Sequence, residues 1–243
     1  AYLVDCKNTG RGVHFVDISN PTSPVFIGNY NDEGTTHDAQ VVTYNGPDTD
    51  YTGKEILIGS NETKVVILDV TDPNNVVKIS DFGYSQLAYT HQGWFTEDQQ
   101  YFILGDESDE QSFGINTRTL VFDFTDLDNP SLSSTYFGPS TAIDHNGYVK
   151  GNLFYMASYR AGLRILDITN IALSSNSMTE VGYFDTHPSS DGTGFNGAWS
   201  VYPYFASENI IVNDIERGLF ILRKSGTLST NSPSFIDAFS ISP

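Results

Sequence analysis

The sequence predicts an all-β fold, a β-propeller of four-stranded antiparallel blades, and three observations carry that expectation. A strand that ends in aspartate and runs into a polar turn recurs along the chain. A second landmark returns at a nearly constant interval, and no segment has the apolar period of a convincing amphipathic helix.

The recurrent strand is read in Gly12-Val13-His14-Phe15-Val16-Asp17, Lys64-Val65-Val66-Ile67-Leu68-Asp69, Thr119-Leu120-Val121-Phe122-Asp123 and Gly162-Leu163-Arg164-Ile165-Leu166-Asp167. Gly218-Leu219-Phe220-Ile221-Leu222-Arg223 is a fifth copy without the aspartate. Ser19-Asn20-Pro21, Thr71-Asp72-Pro73 and Thr125-Asp126 follow three of these strands. Such residues close turns through side-chain bonds to backbone and preset φ, so the repeated aspartate is assigned a structural role.

The second landmark is Thr36-His37-Asp38, Thr90-His91-Gln92, Asp144-His145-Asn146 and Phe195-Asn196-Gly197. His37 to His91 and His91 to His145 are each 54 residues, and His145 to Asn196 is 51. Alternation within one interval predicts strands at 39–44, 55–59, 64–69 and 76–82, and within the next at 93–95, 101–104, 118–124 and 132–137. Four strands per period make a blade, innermost strand first. The expected division of a single domain 1–243 is a partial blade 1–34, then blades 35–88, 89–142, 143–194 and 195–243. On this register the chain starts on a second strand and ends on a fourth, 235–241. The reading therefore expects either further blades ahead of residue 1 or five blades with a gap.

Topology then brings side chains together. The loop into a blade's innermost strand and the loop between its second and third strands open on the same face. His37, His91, His145 and Asn196 are expected to meet Glu62, Glu107, Arg160 and Asp214 there, with Asp38, Gln92, Asn146 and Asp106 beside them. His37, His91, His145, Glu62 and Glu107 are the candidate metal ligands. Imidazole with carboxylate suits Zn²⁺, Mn²⁺ or Fe²⁺, whereas carboxylates, carbonyls and waters alone suit Ca²⁺. The competing reading has the same side chains tying neighbouring blades together by hydrogen bonds to backbone.

Other features receive modest readings. The acidic loops 45–53 and 106–110 lack EF-hand spacing and are expected to be solvated surface, although either could hold Ca²⁺. Asn61-Glu62-Thr63 is a glycosylation sequon in a eukaryotic secretory pathway. His14 and His187 are read as satisfied side chains, and Trp94 and Trp199 as matching inter-blade packing residues. Thirty acidic against twelve basic residues leave a formal charge of −18, which opposes nucleic-acid binding. The single cysteine, Cys6, has no intrachain disulfide partner, and no apolar run reaches the roughly 18 residues of a membrane span.

Several longer motifs resemble the choice-of-anchor B proteins, which carry LVIVD-type repeats. They include Thr36-His37-Asp38-Ala39, Tyr51-Thr52-Gly53-Lys54-Glu55-Ile56, Tyr89-Thr90-His91-Gln92-Gly93-Trp94, Ile143-Asp144-His145-Asn146, Tyr159-Arg160-Ala161-Gly162 and Phe195-Asn196-Gly197-Ala198-Trp199-Ser200. The resemblance runs from about residue 11 to 224. It implies an exported, secreted or surface-attached propeller with further repeats ahead of this stretch, and it supplies no catalytic residue. The leading functional expectation is an extracellular, non-enzymatic scaffold or binding module with a divalent cation, Ca²⁺ or a transition metal such as Zn²⁺ or Mn²⁺, at the axial cluster. Its partner would be a protein or glycan at the cell surface, or a second copy. The alternatives are a metal-dependent hydrolase of esters, lactones or phosphates, and a carbohydrate-binding propeller.

Overall fold

In the computed structural model the described residues are 1–7, 10–224, 234–235 and 237–240. They form five sheets. The first holds β1 (Tyr2–Leu3), β2 (Val13–Asp17) and β3 (Val25–Tyr30). The second holds β4 (Asp38–Thr43), β5 (Glu55–Ser60), β6 (Val65–Asp69) and β7 (Val77–Phe82). The third holds β8 (Thr90–Phe95), β9 (Tyr101–Asp106), β10 (Arg118–Asp123) and β11 (Ser131–Phe137), with a short helix α1 (Asp109–Phe113) between β9 and β10. The fourth is β12 (Gly147–Lys150), β13 (Leu153–Ser158), β14 (Gly162–Asp167) and β15 (Thr179–Phe184), and the fifth opens with β16 (Ala198–Tyr202), β17 (Ile210–Asp214) and β18 (Gly218–Arg223).

The expected closing strand 235–241 divides. β19 (Ser234–Phe235) joins the outer edge of the fourth sheet in parallel with β15, while β20 (Asp237–Ser240) completes the fifth sheet against β18. Residues 236 and 241 of that expectation lie outside the described residues.

The repeated aspartates turn the chain as their chemistry requires. The Oδ1 atoms of Asp17, Asp69, Asp123 and Asp167 accept the backbone N–H of Ser19, Thr71, Thr125 and Thr169 at 2.8, 3.0, 2.8 and 2.8 Å. These four strands, β2, β6, β10 and β14, therefore leave their sheets through the same two-residue side-chain turn. A register shift recurs one step earlier, at Phe15/Val16, Ile67/Leu68, Val121/Phe122 and Ile165/Leu166. Such bulges add local twist to the outer half of each sheet.

Cores form between consecutive sheets. Leu57, Val66 and Leu68 of the second sheet pack on Val13 and Phe15 of the first, while Ile56, Ile58, Val65 and Ile67 face Phe102, Leu104 and Phe122 of the third. Alternate residues of one strand thus serve two cores, which is why these strands read as unbroken apolar runs. Val121 with Phe154 and Met156 joins the third sheet to the fourth, and Leu163 and Ile165 with Val212 and Leu222 join the fourth to the fifth. The first strands of neighbouring sheets lie side by side, β8 between β4 and β12, and β12 against β16.

Two glycines let an aromatic ring lie across a first strand. A Cβ on Gly93 would fall 2.2 Å from the nearest atom of the Phe102 ring, and one on Gly147 2.0 Å from the nearest atom of the Phe154 ring. Gly147→Ala is therefore expected to cost about 1–3 kcal/mol through overpacking, read as a melting temperature lowered by several degrees. An unchanged melting temperature would show that the Phe154 ring yields freely.

Candidate functional site

Four rings follow one another along the line of first strands, tilted by 40–48° between neighbours. His37, at the approach to β4, lies 4.6 Å centroid to centroid from His91 on β8. His91 lies 4.4 Å from His145, at the approach to β12, and His145 lies 4.4 Å from Trp199 on β16. Each ring is 54 residues from the last, so the fourth member of the series is Trp199 and not Asn196. The irregular 51-residue step arose from matching residue chemistry and not position. Trp94 is not the counterpart of Trp199 either: it packs edge-on against Tyr148 of the next sheet, 4.9 Å away.

Local backbone aims these rings. The β8–β9 ladder shifts register between Thr90 and Gln92, and the β16–β17 ladder between Ala198 and Ser200, so His91 and Trp199 are the extra residues of two bulges. A bulged residue leaves the alternation of its strand and re-aims its side chain. His91 Nδ1 bonds the carbonyl of His145 at 3.1 Å, and His145 Nδ1 bonds the carbonyl of Trp199. A carbonyl only accepts, so in both rings Nδ1 carries the hydrogen and Nε2 presents a lone pair. His37 differs, because its Nδ1 meets the phenol of Tyr89 at 3.0 Å.

Both Nε2 atoms face Glu107, the residue after β9. His91 Nε2 lies 3.6 Å from Oε2 and His145 Nε2 3.7 Å from Oε1, while the Tyr159 hydroxyl donates to Oε1 at 2.6 Å. One ligand atom from each of His91, Glu107 and His145 falls within 4.8 Å of the others. The side chains of both histidines are 4% exposed. Burial holds both below the usual histidine range, His91 to about 2 with help from its histidine neighbours and His145 to about 4. Burial likewise pushes the Glu107 carboxyl up. Neutral imidazole lone pairs therefore confront a carboxylate across a gap longer than a hydrogen bond.

The remaining expected members disperse. Glu62 accepts from Tyr89 at 3.3 Å and lies 3.9 Å from Arg11. Asp38 is half-buried, its carboxyl pushed up to about 6 by burial. Gln92 clasps Gly147 of the next sheet, donating to its carbonyl at 3.1 Å and accepting its N–H at 2.9 Å, and Asn146 accepts from Ala157 N–H through its backbone. Asn196 bridges Arg160 and Glu216, and Asp214 caps the turn through the N–H groups of Glu216 and Arg217. Inter-sheet tethering thus accounts for much of the polar repetition. Asn61 is buried and donates to the Glu33 carbonyl, so the folded chain does not present this sequon side chain to solvent.

Beside the site lies a buried acidic group, of which the sequence points only to Asp106 as a member of the axial cluster. Asp106 accepts from the N–H groups of Ala88 and Tyr89 and from the Tyr84 hydroxyl. Asp109, Glu110 and Asp144 are also buried, and each leaves one carboxyl oxygen without a hydrogen-bond partner. Loop 106–110 is therefore interior and not the solvated surface expected of it. The physical reason is Arg118 at the start of β10, which bonds Asp109 at 2.5 Å and the carbonyls of Ser85 and Gln86 at 3.0 and 2.7 Å. The other acidic loop is largely at the surface, with Asp50 exposed and half-buried Asp48 close to exposed Asp126 and Asp128. Among the described residues no helix is long and apolar enough to cross a membrane.

Five sheets strung on one repeat, with cores between neighbours and aligned first strands, define a repeat protein of the β-propeller type. The family described as the LVIVD repeat matches residues 1–32 and 148–186. Among solved structures, a protein from Lactobacillus plantarum superimposes with a TM-score of 0.70 at 14% sequence identity, over 94% of this chain and 65% of that protein. This chain spans just under two thirds of the length of that protein, and the likeness is one of fold. No curated protein matches the sequence.

Proposed function

We propose that this chain is a non-enzymatic β-propeller scaffold or binding module, of the extracellular or cell-surface kind, with a divalent cation at its axial face. The observation that carries the cation is the acceptor confrontation. Two Nε2 lone pairs and a carboxylate converge in a nearly dry site while both Nδ1–H groups are committed to carbonyls. A positive ion among them turns repulsion into coordination, and backbone-anchored Nδ1–H groups are the usual support of ligating histidines. His37 and Glu62, candidate ligands by sequence, belong to the rim of this reading. The acidic surface, with its charge of −18, favours cationic partners. Half-exposed Trp199 and Phe195 beside the site offer a stacking platform to a protein or glycan partner.

The cation is tested by titrating chelator-treated protein with Zn²⁺, Mn²⁺ and Ca²⁺ in a calorimeter. One site per chain, lost in His91→Ala, is the expected result. A native protein that binds none of the three ions at millimolar concentration would remove the cation from the function.

A further inference from the structure

We propose that the ion at His91, Glu107 and His145 is a structural staple of the transition-metal class, locking the third sheet to the fourth, and not a reaction centre. The inference rests on the cation reading above and assigns that ion its chemistry and its role.

Chemistry follows from the donors. Two imidazole nitrogens and one carboxylate form a borderline set that suits Zn²⁺ or Co²⁺ and leaves Ca²⁺, which takes six to eight oxygens, under-coordinated. The separations of 3.6 and 3.7 Å between Glu107 and the two Nε2 atoms leave room for an ion with bonds of about 2.0–2.2 Å after slight contraction.

The role follows from where the donors are rooted. His91 sits on β8 and Glu107 directly after β9, both in the third sheet, while His145 leads into β12 of the fourth. Coordination therefore bonds two sheets that are otherwise tied at this edge by hydrogen bonds alone: Tyr159 to Glu107, His91 to the His145 carbonyl and the Gln92–Gly147 pair. The surroundings are closed. The His37 ring covers His91, the Trp199 ring covers His145, Tyr159 is buried behind the carboxylate, and Glu107 itself is 16% exposed by its side chain. Under this cover a fourth position suits a water molecule and not the acyl or phosphoryl group of a substrate.

The experiment compares melting temperatures of native protein and Glu107→Gln, each chelator-treated and with added Zn²⁺, Co²⁺ or Ca²⁺, alongside hydrolysis of aryl esters and lactones. Glu107→Gln keeps the shape and the acceptor for Tyr159, and its amide N–H₂ can donate to a histidine Nε2, so this variant folds without an ion. At free Zn²⁺ 100-fold above its Kd, the unfolded population of native protein is expected to fall about 100-fold, raising the melting temperature by about 5–10 °C. Ca²⁺ should leave it unchanged. Metal-free Glu107→Gln should melt at or above metal-free native protein and gain nothing from Zn²⁺, and Co²⁺ should give the visible absorption of a four-coordinate nitrogen and oxygen site in native protein alone. Zn²⁺ binding without a rise in melting temperature, or with chelator-sensitive multiple-turnover hydrolysis, overturns the staple and leaves the cation standing. Absence of Zn²⁺ binding overturns both, and stabilisation by Ca²⁺ equal to that by Zn²⁺ overturns the assigned chemistry.

Discussion

Arg118→Leu is expected to destabilise the fold by about 3–5 kcal/mol, the range for removing one partner of a buried ion pair. The guanidinium is buried at the start of β10, bonded to Asp109, held between the carbonyls of Ser85 and Gln86, and 4.0 Å from Asp106. It is the cation drawn into a group of four buried carboxyl side chains, Asp106, Asp109, Glu110 and Asp144. Leucine fills much of the volume and none of the charge, so the two loop carbonyls and Asp109 lose their donors together. Urea denaturation reads the loss directly. A companion variant, Arg118→Leu with Asp109→Asn, should recover part of it, because the uncompensated charge is then gone. A cost below about 1 kcal/mol for the single change would mean that these acids are already neutral without the arginine.

Glu110→Gln should act in the opposite direction and depend on pH. Burial, with the charge of Asp109 beside it, pushes the Glu110 carboxyl up to about 9, and Asp109 is pushed up to about 6. Folded Glu110 therefore holds its proton long after the unfolded chain has released it near 4.5. The stability this proton confers is fully present below about pH 4.5 and is lost as the pH rises through about 9. Glutamine, which carries no charge to bury, removes that decline while its oxygen still faces the Asp144 N–H. The variant should match native protein near pH 4.5 and exceed it by about 1–3 kcal/mol at pH 8. Parallel stability profiles across this range would show that Glu110 ionises freely in the folded state.

The site was legible to the extent that period and topology reach. Counting placed His37, His91 and His145 on one line, and the rule that two loop sets share a face brought Glu107 to them. Chemistry misled where it replaced counting: Asn196 was matched to the histidines for its polarity, whereas Trp199, three residues on, holds the fourth ring position. Tyr159 stands in the sequence only within a longer repeat motif, and nothing in its spacing shows that its hydroxyl lies on Glu107. Loop 106–110 read as solvated because five residues with four acids carry no local sign of a counterion; Arg118 reaches Asp109 from nine residues away and the carbonyls of Ser85 and Gln86 from more than thirty.

What the amino-acid sequence determined alone was the repeat: short apolar strands, an aspartate whose carboxylate turns the chain two residues on, and histidines 54 residues apart at 37, 91 and 145. Those are local interactions, written in neighbouring residues and copied from one sheet to the next. Only the tertiary structure decided which polar groups become ligands, which become tethers and which are buried acids. Bulges at His91 and Trp199, the carbonyl each Nδ1 finds, and the arginine that enters an acidic loop depend on how one sheet docks on the next. The energy of a charge in a protein is set by its surroundings and not by its identity.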